Sequence, residues 1–207
     1  MATADLLVVR HGQSTWNAEG RWQGWADPPL SPLGEEQARD AVDHLRGAGL
    51  SAVVSSDLQR AWRTAELVRD GLGIAPPVQV DPDLRERNVG VFQGHTITEI
   101  LERWPDLFDE AGRLLQAPPD GEDFDVLLAR VVPALQRIAR ARPGERVLVV
   151  AHGGVIRTLE RHLSVEPPPS TPNLGGRWFE ARDGGPVVAG DALVPVEREH
   201  ITAPQTE

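Results

Sequence analysis

The chain has 207 residues, 31 acidic against 21 basic side chains and a net charge of −10, and every basic residue is an arginine. With no cysteine, lysine or tyrosine it can have no disulfide, thiolate-ligated metal, cysteine nucleophile, Schiff base or P-loop lysine. The acidic balance argues against nucleic acid or an anionic membrane as partner, no apolar run approaches ~18 residues and no secretory pattern opens the chain, so a soluble cytoplasmic protein is expected.

Leu6 to Val9 reads as a strand buried on both faces, and it ends in Arg10-His11-Gly12. Ser31-Pro32 marks a helix start, and Leu33, Ala38, Ala41, Val42 and Leu45 follow helical spacing until Gly47 or Gly49. Ala52 to Val54 is a second buried strand, after which Asp57 is expected to cap a helix running to Gly71 or Gly73. Val78 to Val80 is a third strand, Asp81 to Gly94 reads as extended and rich in charge, and Thr96 with Glu99 forms a capping box for a helix ending before Pro105.

Pro118 to Asp123 is a loop, followed by a helix from about Glu122 to Ala141 that Pro133 is expected to kink. Val147 to Val150 is the most apolar strand, and Ala151-His152-Gly153-Gly154 leads into a helix through Leu163. After a loop over Pro167 to Pro172, Arg177 to Arg182 and Pro186 to Ala189 suggest a hairpin, and a peripheral tail begins near residue 195. Strands alternating with helices, without repeat or linker, imply one domain over residues 1–207. Its expected class is α/β, a three-layer αβα arrangement around a mostly parallel, mixed sheet.

Ligands of such sheets gather beyond the carboxyl ends of the strands, where His11 and His152 each precede a glycine. A lone histidine there is usually structural; two strand-end His-Gly pairs in one sheet are hard to ascribe to coincidence. Arg10 adjoins His11, and Arg60 opens the helix after the second strand, so two guanidinium forks and a helix start can converge on one phosphoryl group. His11, His152 and Glu86 could also pass for a metal-binding facial triad, but fixed positive charge from the arginines repels a divalent cation. His44, His95, His162 and His200 are read as surface or packing residues.

The stretch Leu7-Val8-Val9-Arg10-His11-Gly12-Gln13-Ser14-Thr15-Trp16-Asn17 resembles the signature of the histidine phosphatase superfamily, whose fold is phosphoglycerate mutase-like. Gly24-Trp25-Ala26-Asp27 with Leu30 to Gly34, Ser55 to Ala61, Leu84-Arg85-Glu86 with Phe92-Gln93-Gly94, and Ala151 to Gly154 extend the likeness in the right order. The resemblance implies that His11 is the nucleophile, its other ring nitrogen held by a backbone carbonyl. Arg10, Arg60, Asn17, His152 and the Gly153 amide are implied as contacts of the phosphoryl group. Glu86 is implied as the general acid, a role that needs a protonated carboxyl; its bland alternative is an ion pair with Arg85 or Arg87.

Mutases of this family carry an insertion between the Glu86 motif and the second His-Gly pair; here that stretch is short, and Gly121-Glu122 resembles a feature of the phosphatase branch. The expectation is therefore a metal-independent phosphomonoester hydrolase that uses no cofactor and acts on a small phosphorylated metabolite. A phosphoglycerate mutase-type phosphotransferase and a catalytically inactive phospho-ligand binding protein are the alternatives. Trp22, Gln23 and Glu122 are candidates for a substrate rim, although clustered Trp16, Trp22 and Trp25, with Phe92 and Trp104 nearby, also fit ordinary loop packing. A homodimer is compatible with the sequence, and no feature decides it.

Overall fold

The apolar runs assemble into one mixed sheet. The computed structural model describes residues 3–165, 171–184 and 187–193. Among them, β1 (Thr3–Arg10), β2 (Ala52–Ser55), β3 (Gln79–Val80), β4 (Arg146–Ala151), β5 (Gly176–Arg182) and β6 (Val187–Leu193) form a six-stranded sheet in the order β3-β2-β4-β1-β5-β6. The first four strands of that order run parallel, and β5 and β6 close the β1 edge antiparallel. The hairpin expected near the end is thus present. Its Gly185-Pro186 tip, residues 166–170 of the preceding loop, and the tail from 194 lie outside the described residues.

The helices are α1 (Thr15–Ala18), α2 (Pro32–Leu45), α3 (Gln59–Leu72), α4 (Ile97–Arg103), α5 (Phe124–Ala141) and α6 (Gly153–His162). Strand alternation divides the core between the two faces of the sheet. Leu6, Val8, Val147 and Val149 pack with Leu127 and Leu135 of α5 and Val155 and Leu159 of α6. Leu7, Val9, Leu148 and Val150 pack on the other face with Ala38 and Leu45 of α2 and Ala61, Ala65 and Val68 of α3. This is the three-layer αβα class expected from the sequence. None of the described helices is long and apolar enough to cross a membrane.

Several boundaries follow their local chemistry. Ser31 caps α2, Thr96 and Glu99 close a reciprocal capping box on α4, and Asp123 caps α5, which continues through Pro133. Two expectations are corrected. Asp57 does not cap α3: its carboxylate takes the Arg85 guanidinium, and the Gln59 amide donates instead to Asp27 Oδ1 at 2.7 Å. The 81–94 stretch is not simply extended, because it forms short 3₁₀ turns at Pro82–Leu84 and Gly90–Phe92. The second turn plants Phe92 between Trp22 and Trp104, at ring separations of 5.8 and 5.3 Å, in a small satellite core that includes Ile100.

The start of α2 is pressed onto the backbone that follows His11. Ser31 Oγ donates to Gln13 Oε1 at 2.7 Å, and a Cβ at Gly34 would lie 2.0 Å from the Gln13 carbonyl oxygen. Gly34→Ala is therefore expected to destabilise the fold by about 1–3 kcal/mol, as overpacking of a filled site does. It should lower turnover at the same time, because the strain falls on the His11 loop; thermal melting and kcat measured together check this.

Candidate active site

Two parallel neighbours bring the histidines together. Arg10 of β1 pairs with Ala151 of β4, so His11 and His152 leave the sheet at the same edge, and their ring centroids are 5.1 Å apart. Beyond them the chain turns to opposite faces, to α2 after β1 and to α6 after β4, which opens a crevice at the strand ends.

His11 is buried and its tautomer is fixed. Nδ1 lies 2.6 Å from the Gly12 carbonyl oxygen, so it carries the proton and donates, leaving the Nε2 lone pair toward the site. Arg60 Nε donates to Nε2 at 3.2 Å. Asn173 Nδ2 secures the His11 carbonyl at 2.8 Å, and the Gly12 amide donates to Thr64 Oγ1 at 3.1 Å. His152 is fully buried and neither of its ring nitrogens has a hydrogen-bond partner among the described residues; it lies against the His11 ring but is not among the residues that line the cavity.

Burial, then the positive charges of Arg60 and Arg10, holds His11 well below the ordinary imidazole value, against the pull of the Gly12 carbonyl. His152 is lowered likewise by burial first, then by Arg60 and His11. Both rings are therefore neutral in the folded protein, while the unfolded chain protonates them near pH ~6.5. Because the unfolded state then binds more protons, stability falls as pH drops below about 6.5. Melting temperature should decline between pH 7 and 5, before carboxylates titrate. His11→Ala should flatten that slope.

Arg60 is an internal cation. It is 1% exposed, and its Nη1 and Nη2 donate to the carbonyls of Ala26 and Gly24 at 2.8 and 2.9 Å. Burial lowers its pKa to about 10, offset in part by the charges of Glu86 and Asp27, which leaves it charged at neutral pH. Arg10 is lowered chiefly by burial and supported by Glu86; its Nη1 donates to the Thr171 carbonyl at 2.8 Å.

Glu86 lines the same cavity as these arginines, and among the described residues it forms no ion pair with the guanidinium of Arg85 or Arg87. Its Oε1 accepts from the Arg87 amide at 2.8 Å and its Oε2 from the Gly154 amide at 3.1 Å. Arg85 is committed to Asp57, and the Arg87 guanidinium sits 5.0 Å from the Phe124 ring centre. A Cβ at Gly154 would lie 2.3 Å from Glu86 Oε1, so glycine at that position is what lets the carboxylate settle on the first turn of α6.

A cavity of about 60 Å³ is lined by Arg10, His11, Arg60, Glu86 and Gly153, with Trp22, Gln23, Arg87, Arg157 and Thr171 toward its other sides. Of the candidate rim, Trp22 and Gln23 line this cavity, Gln23 being fixed by Ser14 Oγ at 2.7 Å. Glu122 is paired with Arg130, with side chains only 12% and 14% exposed, and is not among the residues that line this cavity. Asn17 lies outside the lining too, its Oδ1 accepting from the Ser14 amide at 3.2 Å to complete the cap of α1.

Arg157 and Thr171 escaped the sequence reading. Arg157 had a usable signal, since it stands one helical turn beyond Gly153 and Gly154 on the same face of α6; Thr171 had none.

A family model described as the histidine phosphatase superfamily (branch 1) matches residues 6–181. The chain is 41% identical over 160 residues to phosphoglycerate mutase-like protein 4 of Arabidopsis thaliana, covering 75% of this chain and 69% of that protein. It is 40% identical over 159 residues to a metal-independent phosphoserine phosphatase of Arabidopsis thaliana, covering 75% and 66%. Among solved structures, a mycobacterial glucosyl-3-phosphoglycerate phosphatase in complex with VO3 aligns with a TM-score of 0.70 and 31% identity, covering 87% of this chain and 90% of that one. The chain therefore belongs to the histidine phosphatase superfamily. Its relatives carry both phosphatase and mutase names.

Proposed function

We propose that the protein is a metal-independent phosphomonoester hydrolase that works through a phosphohistidine at His11 on a small phosphorylated metabolite. The observation that carries this reading is the His11 tautomer, with Nδ1 spent on the Gly12 carbonyl and the Nε2 lone pair beside Arg60. In the first step Nε2 attacks phosphorus as the ester P–O bond breaks, and Glu86, a carboxylate in the free protein that takes up a proton entering with the substrate phosphate, gives that proton to the departing oxygen. Arg10, Arg60 and Gly153 line the cavity, where the two guanidinium groups and the Gly153 amide would offset the charge that spreads over the phosphoryl oxygens, with His152 behind them against the His11 ring. In the second step water attacks phosphorus, the P–N bond breaks, Glu86 takes the water's proton, and phosphate leaves with His11 neutral again.

Hydrolysis is favoured over a mutase reaction by the short stretch between Glu86 and His152, where mutases of this family carry an insertion. The phosphatase names of two of the relatives above point the same way. Positive charge from Arg10 and Arg60 supplies the electrophilic assistance that a metal gives elsewhere. Hydrolysis of an aryl phosphate in excess chelator tests this. Undiminished activity is expected, and activity abolished by the chelator would overturn the metal-free reading.

A further inference from the structure

We propose that Arg130, remote in sequence from both His-Gly motifs, is a positioning residue that fixes where the Glu86 carboxyl reaches; the proposal rests on the reading of Glu86 as proton donor. Arg130 lies in the second turn of α5, and all five of its N–H groups are used. Nε and Nη2 donate to the two carboxylate oxygens of Glu122 at 2.9 and 2.8 Å. Nη1 donates to the carbonyls of Asp83 and Arg85 at 2.9 and 2.7 Å, and Nη2 also donates to the Glu86 carbonyl at 2.8 Å.

A guanidinium is a rigid planar fork, so five simultaneous bonds leave it no freedom. It therefore transmits the position of a core helix to three carbonyls of a segment that otherwise has only short 3₁₀ turns. Glu122 completes the frame by accepting the Asn88 amide at 2.9 Å, two residues beyond Glu86. Trp25 adds a second hold, its indole N–H donating to the same Glu86 carbonyl at 2.8 Å while the Arg85 guanidinium covers its ring at 5.1 Å. With its main chain held at the carbonyl, Glu86 reaches the Arg87 and Gly154 amides with its two carboxylate oxygens, and all three residues line the cavity.

A merely structural arginine and a positioning arginine differ in what their loss does to different leaving groups. An alcohol leaves as a strongly basic alkoxide and needs the proton from Glu86, whereas a nitrophenolate leaves without one. Arg130→Lys keeps a positive charge opposite Glu122, but a single ammonium with three donors cannot span both carboxylate oxygens and three carbonyls. Its kcat/KM for a simple alkyl phosphate, which reports the first step alone, is expected to fall on the order of 10²-fold, the scale of a misplaced catalytic group. Its kcat/KM for p-nitrophenyl phosphate should be nearly unchanged, because that step then needs no proton from Glu86, and this also reports that the fold and the His11 attack are intact. Trp25→Phe should show the same selectivity to a smaller degree, and it decides the matter if Arg130→Lys does not fold.

Equal losses of kcat/KM on both substrates, or none on either, would overturn the proposal. Glu86→Gln serves as the reference and should reproduce the same leaving-group dependence. If it does and Arg130→Lys does not, the clamp fails while the proton-donor reading stands. If Glu86→Gln shows no such dependence, that reading falls and takes the catalytic meaning of the clamp with it.

Discussion

His11→Ala should reduce phosphomonoester hydrolysis by about 10⁵–10⁶-fold, the scale on which a covalent enzyme loses activity with its nucleophile. Little else in the site can take over. The chain has no cysteine or lysine to substitute for the imidazole. His152 is close, but its ring is held at the start of α6, 5.1 Å from that of His11, and it has no carbonyl partner to fix a nucleophilic tautomer. The variant should fold, because replacing a buried imidazole with methyl removes a group that costs stability below pH ~6.5 and leaves the Gly12 carbonyl and the Arg60 Nε–H, at the edge of the cavity, to be resatisfied by water. Substrate binding should survive better than turnover, since Arg10, Arg60 and the Gly153 amide remain. A loss confined to KM would point to a binding role for His11 instead.

Arg60→Met should cost the next largest share, on the order of 10³-fold in kcat, as removal of an arginine from a phosphoryl-transfer site does. Three consequences follow from its bonding. The donor beside His11 Nε2 is lost, together with the fork available to the phosphoryl oxygens. The carbonyls of Gly24 and Ala26 lose their buried partner, so the loop carrying Gln23 and Trp25 loosens. Arg60 is also the leading charge that depresses both histidines after burial itself. Without it their protonated forms become easier to reach, and the acid limb of the rate profile should move to higher pH. Lysine should not rescue the variant, because one ammonium cannot hold two carbonyls and an imidazole together. A pH profile that stays in place would show that the guanidinium does not set the charge state of His11.

What was legible in the sequence was what short-range geometry dictates. A buried strand ending in His-Gly, followed by a helix start, carries its own instructions, and two such units in parallel register meet at one edge. Arg60 was legible for the same reason, as the second residue of a helix that follows a buried strand. The misreadings arose where distant partners compete for a side chain. Asp57 looked like a cap, but Arg85, far along the chain, offers its carboxylate a bidentate charged partner. Glu122 was legible only as a candidate for the substrate rim, and its bonds from Arg130 two turns later, which take both of its oxygens, were not. The aromatic cluster divides by contact: Phe92 and Trp104 pack in the satellite core, Trp22 joins them while lining the cavity, and Trp25 secures the Glu86 carbonyl. No spacing in the sequence separates those roles.

The measurement that bears most directly on the account is trapping of the phosphorylated enzyme. The protein is mixed with labelled aryl phosphate, quenched in alkali on the millisecond scale, digested, and the labelled peptide identified. Phosphate bound to nitrogen survives alkali and is released by acid, and the label is expected on the peptide carrying His11 and absent from the His11→Ala protein. An acid-stable label, a label on any other residue, or full turnover by His11→Ala would contradict the mechanism at its centre.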